Sequence, residues 1–172
     1  MNRFLADVEK RAFNIARLSI GHADDALDLV QDSMFAMVER YLDRPPTQWP
    51  PLFYRILKNR IRDYYRRRGV WRRWFVPQSA VPLPDGQDAV SAVAPTTSEP
   101  VARAALDRSL IALEAAIAAL PRRQQQAYLL REIEGLSVAD TARAMGCSEG
   151  SVKTHCSRAN QALRAQLGEY LG

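Results

Sequence analysis

Apolar residues recur every three to four positions over most of the chain, without the alternating β-branched runs that announce strands, so the pattern predicts helices. The expected helices span Asn2–Ile20, Asp24–Tyr41 and Pro51–Arg68, then Val101–Ala119, Arg122–Glu134, Val138–Met145 and Glu149–Tyr170. Between the two groups, Phe75–Pro100 carries five of the ten prolines and no basic residue. Such a stretch holds neither helix nor strand and reads as an extended tether. The expected fold is therefore all-α, with two small helical domains (1–75 and 105–172) joined by a flexible linker (76–104).

Two of the expected helices have an informative second face. On Asp24–Tyr41, Ala26, Val30, Met34, Met37, Val38 and Tyr41 gather on one side and should face a core. Opposite lie Asp28, Asp32, Glu39 and the aromatic Phe35, which fit either a solvated acidic face or a docking surface with an aromatic anchor. On Pro51–Arg68, Phe53, Leu57, Ile61 and Tyr64 form the apolar stripe, entered through Trp49-Pro50-Pro51. Arg55, Lys58, Arg62 and Arg66 line the other side, and Arg67, Arg68, Arg72 and Arg73 extend them. From Arg55 to Arg73 there are nine basic residues and one acid, Asp63. Like charges on successive turns repel, and a polyphosphate relieves that cost through counterion release. Trp49, Tyr54, Trp71 and Trp74 interleave with this patch and suit stacking on unpaired bases, or else close the small core. Arg60, beside the apolar stripe, reads as structural.

The C-terminal half has the punctuation of a helix-turn-helix. Leu110, Leu113, Ile117 and Leu120 repeat at helical spacing, and Pro121 opens the next helix, which should stop at Gly135. Ser137, with Asp140 three residues on, is a close variant of a capping box. Gly146-Cys147-Ser148 then makes a tight turn with Ser148 as the next N-cap. In a helix-turn-helix the start of the second helix enters the major groove, which presents Thr154, Ser157, Arg158 and Gln161, flanked by Ser151 and Lys153. Arg158 suits a bidentate pair to guanine, and Gln161 suits adenine or phosphate. A plain amphipathic helical hairpin would show the same caps and stripes.

A net charge of +5 and pI near 9.6 add a polyanionic partner to this picture. No apolar run approaches the ~20 residues of a membrane span, and no signal-peptide pattern opens the chain, so a cytoplasmic protein without membrane insertion is expected. Cys147 and Cys156 lack a CxxC or CxxH companion and read as small buried or turn residues rather than metal ligands. No nucleophile-base pair, phosphate loop or metal cluster is visible; no cofactor and no enzymatic activity are expected.

Two stretches resemble the extracytoplasmic-function sigma factors of the sigma-70 superfamily. DDALDLVQDSMFAMVERY (Asp24–Tyr41) with LFYRILKNRIRDYYRRR (Leu52–Arg68) is similar to regions 2.2 to 2.4, and Ala119–Leu163 is similar to region 4. The resemblance implies that Asp28, Leu29, Gln31, Asp32 and Phe35 dock on the β′ clamp helices of core RNA polymerase. It assigns Trp49, Tyr54, Arg55, Lys58, Arg62, Arg66 and Arg67 to recognition and melting of the −10 element. Ser151, Lys153, Thr154, Ser157, Arg158 and Gln161 would read the −35 element, with region 4 also touching the β flap. A separate anti-sigma protein is the implied regulator.

The chain also departs from that family. Many members carry arginines where Cys156, Ser157 and Asn160 stand here, and the double prolines Pro45-Pro46 and Pro50-Pro51 reshape the loop that captures a −10 base, so Arg44–Trp49 carries over as a region only. Two weak DNA contacts on one tether gain avidity only at the spacing that polymerase fixes, so the free protein should bind promoters poorly. The alternative is a stand-alone helix-turn-helix regulator binding operator DNA as a dimer; a basic RNA-binding or nuclease-associated protein is a third reading.

Overall fold

The computed structural model describes residues 1–68 and 100–168, of which 100–107 by backbone alone. The expectations for Trp71, Arg72, Arg73, Trp74 and linker residues 76–99 lie outside the described residues. The N-terminal unit is three helices, α1 (Asn2–Ile20), α2 (Ala23–Tyr41) and α3 (Trp49–Arg67), with a short 3₁₀ turn at Pro46–Gln48. The C-terminal unit holds α4 (Pro100–Ala119), α5 (Arg122–Tyr128), α6 (Val138–Met145) and α7 (Glu149–Leu167). Helix α4 starts at Pro100, one residue before the expected Val101–Ala119, so the helix and not the overlapping linker range (76–104) describes residues 100–104; proline fits a first helical turn, whose N–H has no partner to lose.

Small residues let α1 approach its neighbours closely. Ala12 and Ala16 are fully buried beside Val8, Ile15 and Ile20, facing Ala26, Val30 and Met37 of α2 and Phe53, Leu57 and Ile61 of α3. Phe4 packs against both Trp49 (ring centroids 5.8 Å) and Phe53 (6.1 Å), closing one end of this core. Gly21 ends α1 with φ +78°, donating its N–H to the Arg17 carbonyl at 2.8 Å, a left-handed cap that costs a residue with a Cβ more. Val38 departs from expectation: it is 39% exposed, and Ser33 and Ala36 are buried on α2 instead, with the Ser33 hydroxyl donating to the Leu29 carbonyl at 2.6 Å. A hydroxyl that bonds its own helix backbone can enter a core without an unpaired donor.

In the C-terminal unit both serine caps form. Asp140 donates its N–H to Ser137 Oγ (3.0 Å), whose hydroxyl donates to the Asp140 carboxylate (2.8 Å), and Ser151 donates its N–H to Ser148 Oγ (3.1 Å). Gly146, at φ +67°, ends α6 and turns the chain into α7. Helix α5 differs from the sequence expectation in widening into a π turn at Leu129–Ile133, where Glu134 donates to the Leu129 carbonyl at 3.1 Å, before Gly135 (φ +77°) ends it. Leu113 is half-buried and Ile117 and Leu120 are buried as their spacing implies, but Leu110 is 50% exposed, with Ile111 beside it also exposed.

The two units pack together. Helix α3 lies on α6, while α1 touches α4 and the π turn. Arg17 forms a bidentate pair with Glu114 (2.5 and 3.1 Å), and Arg11 Nε reaches Glu134 at 2.9 Å. Buried Gln125 donates to the Ile117 carbonyl at 3.1 Å, with the Leu18 carbonyl of α1 at 3.5 Å. The Arg122 guanidinium lies 4.7 Å above the Tyr65 ring, whose hydroxyl donates to the Ser19 carbonyl.

Candidate docking face and nucleic-acid interface

The outer side of α2 is divided along its length. Phe35 projects into solvent, 75% exposed. On one flank lie Leu27, Gln31, Val38 and Leu42, all exposed; on the other lie exposed Asp28, Asp32 and Glu39. Leu29, expected on this face, is half-buried and packs on the core. Arg60 of α3 stands 3.6 Å from Asp32. Leu27 and Leu42 are additions: both sit on the Phe35 side of the wheel, a signal present in the sequence once the helix is continued through Leu42. A large apolar ring exposed among acids and aliphatics supplies the ingredients of an interface anchor.

The basic side of α3 divides into free and engaged residues. Arg55, Arg62, Arg66 and Arg67 are exposed. Asp63 lies between two of them, 3.6 Å from Arg62 and 3.8 Å from Arg66, and so offsets part of the repulsion. Arg68 pairs with Asp25 at 2.9 Å and covers the Tyr64 ring at 4.6 Å, while Tyr64 donates to the same carboxylate at 2.7 Å. Burial and this bond to Asp25 push the Tyr64 hydroxyl up to about 12.

Three residues expected to meet −10 DNA are placed otherwise. Tyr54 is buried rather than surface-borne, stacked edge-on against Phe53 and next to the Arg11–Glu134 pair; burial, then the Glu134 charge, drives its hydroxyl strongly upward. Helical position i+1 from Phe53 put it beside the apolar stripe, and the C-terminal unit covers what the N-terminal unit leaves open. Trp49 is half-buried: its ring meets Phe4, and its indole N–H donates to the Arg44 carbonyl at 2.7 Å, fastening the Leu42–Gln48 loop. Lys58 is half-buried between the units, donating from Nζ to the Met145 carbonyl at 3.2 Å. Arg123 of α5 donates to the same oxygen at 3.0 Å, so two cations meet the C-terminal end of α6, where the helix dipole is negative. Burial, then the charges of Arg123, Arg55 and Arg62, push the Lys58 ammonium down to about 8.

On α7, Lys153, Thr154, Ser157, Arg158 and Gln161 are all exposed on the outer side, while Val152, Ala159 and Leu163 are buried. Ser151 is half-buried and within 2.9 Å of the Ser148 hydroxyl, which places it in the cap. Thr154 donates to the Gly150 carbonyl at 3.0 Å and so keeps its lone pairs for an incoming donor. His155 lies at the edge of this face with Nδ1 buried; burial, then Arg123 and Arg158, lowers its proton affinity. Cys147 and Cys156 are unpaired and half-buried, and among the described residues no cluster of three or more His, Cys, Asp or Glu could hold a metal. No described helix is long and apolar enough to cross a membrane. The sequence reading missed the residues that join the units: Arg11, Arg17, Glu114, Arg122, Gln125 and Glu134.

The geometry of both halves agrees with what the chain is similar to. Residues 4–70 match the family described as sigma-70 region 2, and residues 110–163 match sigma-70, region 4. The ECF RNA polymerase sigma factor SigM of Mycobacterium tuberculosis is 32% identical over 168 residues, covering 95% of this chain and 72% of that protein. The ECF RNA polymerase sigma factor EcfG of Rhodopseudomonas palustris is 34% identical, over 91% of this chain and 78% of its own. The fold is shared with the sigma factor RpoE solved in complex with the anti-sigma factor NepR from Bartonella quintana, at TM-score 0.69 and 23% identity, covering 97% and 96% of the two chains. This displaces the operator-binding alternative: the chain belongs to the ECF RNA polymerase sigma factors and carries sigma-70 regions 2 and 4.

Proposed function

We propose that this alternative sigma factor docks on core RNA polymerase through the divided face of α2, with Phe35 as the anchor and Asp28, Gln31 and Asp32 beside it. The observation that carries this is Phe35 itself, a large ring standing 75% exposed between an acidic and an aliphatic flank. Residues 1–75 and 105–172 act as two DNA-binding units. Arg55, Arg62, Arg66 and Arg67 hold the −10 region, and Lys153, Thr154, Ser157, Arg158 and Gln161 read the −35 element in the major groove. The protein works in the cytoplasm without chemistry of its own, the polymerase supplying catalysis, and a separate anti-sigma protein restrains it. That several relatives are named ECF sigma factors, and that a structural neighbour was solved with an anti-sigma factor, supports this reading.

Run-off transcription on a fragmented host genomic library, with purified core polymerase, tests the reading. Discrete transcripts that require the protein are expected. They should vanish with Asp32→Ala/Phe35→Ala while the helical circular dichroism of that variant stays unchanged. Normal polymerase binding by the folded double variant would remove the α2 face from the docking role.

A further inference from the structure

Like charges converge without a counter-charge where α3, the start of α5 and the end of α6 meet. Lys58 Nζ donates to the Met145 carbonyl at 3.2 Å, and Arg123 donates to the same oxygen at 3.0 Å. A carbonyl oxygen has two lone pairs, so this one is fully used. An ammonium carries three N–H donors and a guanidinium five, and each spends one on Met145. Among the described residues no carboxylate pairs with either cation: Asp63 stands by Arg62 and Arg66, and Asp25 by Arg68. Arg55 and Arg62 lie near enough to Lys58, and Arg122 to Arg123, for the like charges to oppose one another. The geometry points to an anion site at this seam, in which Lys58 and Arg123 together hold a compact, doubly charged phosphoryl group, that of inorganic phosphate or of a phosphomonoester.

Charge and donor geometry select this ligand. Two cations meeting at one point match two negative charges. A guanidinium fork engages two phosphate oxygens side by side, and an ammonium serves a third as a point charge. Size selects it as well. Helix α6 lies across α3 and leaves Lys58 only half-buried beneath it, which keeps an extended strand off, whereas exposed Arg123 leaves the seam open to solvent on one side. Burial, then the like charges of Arg123, Arg55 and Arg62, push the Lys58 ammonium down to about 8, and a dianion at the seam reverses the second of these causes. The two cations come from α3 and α5, so the bound anion touches both the region 2 and the region 4 parts of the chain.

The chain has three lysines, Lys10, Lys58 and Lys153, of which Lys10 and Lys153 are exposed, and this gives a direct test. Reductive methylation places carbon-13 methyl groups on all three and keeps their charge. Their magnetic resonance signals are followed in the free full-length protein as sodium phosphate replaces sodium chloride at constant ionic strength. A saturable shift of the Lys58 signal is expected, with those of Lys10 and Lys153 nearly unmoved. Arg123→Gln should weaken the apparent affinity several-fold, and Arg123→Lys should retain part of it, both with unchanged helical circular dichroism. Glycerol phosphate should act like inorganic phosphate, whereas a dinucleoside monophosphate, a singly charged diester, should bind several-fold more weakly. No saturable shift, equal shifts at all three lysines, or wild-type affinity in folded Arg123→Gln would each overturn the site. Equal affinity for the diester would assign the seam to a nucleic-acid backbone and overturn the choice of a compact dianion. Neither polymerase nor promoter enters the measurement, so the site stands or falls independently of the proposed function.

Discussion

The two proposed DNA surfaces are built on opposite plans. Helix α3 offers mostly charge: exposed arginines at 55, 62, 66 and 67, few neutral hydrogen-bonding groups among them, and one lysine under a neighbouring helix. Helix α7 offers mostly shape and hydrogen-bonding groups: two cations, Lys153 and Arg158, set among Thr154, Ser157 and Gln161, on a helix whose start is fixed by Ser148. Charge along a helix binds any phosphate backbone, and its strength falls with salt. A rigid helix with a few donors and acceptors at fixed positions discriminates base edges. The difference assigns holding to one half of the molecule and reading to the other.

Replacing the single arginine of the reading head breaks the comparison most sharply. Arg158→Ala should cost ~1–3 kcal/mol of upstream-duplex binding in the holoenzyme, concentrated at one base position. Competition with a library of single-base variants measures this, and a loss spread evenly over the site would make α7 a second holding surface. Arg55→Ala is the counterpart on α3, since Arg55 is exposed and has no ion pair among the described residues. Its loss should weaken binding alike for all sequences and reduce the salt slope by about one ion's worth, ~0.7–0.9 in log-log terms. Arg62→Ala should do less, because Asp63 already offsets that charge at 3.6 Å.

The smallest expected effect is on pH. With the two units packed together (the closed form), Lys58 keeps its proton only up to about 8 instead of the ordinary 10.5, chiefly through burial, with Arg123, Arg55 and Arg62 adding to it. Closure therefore carries an unfavourable contribution that is full below pH 8 and fades as pH rises toward 10.5. The closed fraction, followed by energy transfer between dyes on α2 and α7, should grow from pH 7.5 to 9.5. Lys58→Gln should flatten that rise.

How much of this was legible in the sequence depends on what each feature rests on. The helices, the serine caps at 137 and 148 and the stops at Gly135 and Gly146 follow from periodicity and from backbone groups that need local partners. Most of the outer faces of α2 and α7 was legible in the same way, with Leu29, Val38 and Ser151 the exceptions. The fates of Tyr54, Lys58, Val38 and Leu110 were not legible, because each depends on which other helix arrives, or fails to arrive, over that position. Gln125 is the instructive case. A polar side chain within a run of glutamines gives no sign that it will sit buried between two units, donating to the Ile117 carbonyl.

The π turn at Leu129–Ile133 holds one residue more than α-helical winding would, and at its end Glu134 meets Arg11. A lineage that lost a single codon within this turn would keep the apolar stripe of α5 and the whole helix-turn-helix. Its residue 134 equivalent would keep nearly the same bearing toward α1, because the five residues of the π turn sweep about the angle that four sweep in an α-helix. Coupling through this turn is thus indifferent to one residue of chain length and depends on the carboxylate that stands at its end. Two descendants of different length at this turn would join their halves alike so long as that position stays acidic, whereas one of unchanged length that lost the acid would lose the Arg11 pair.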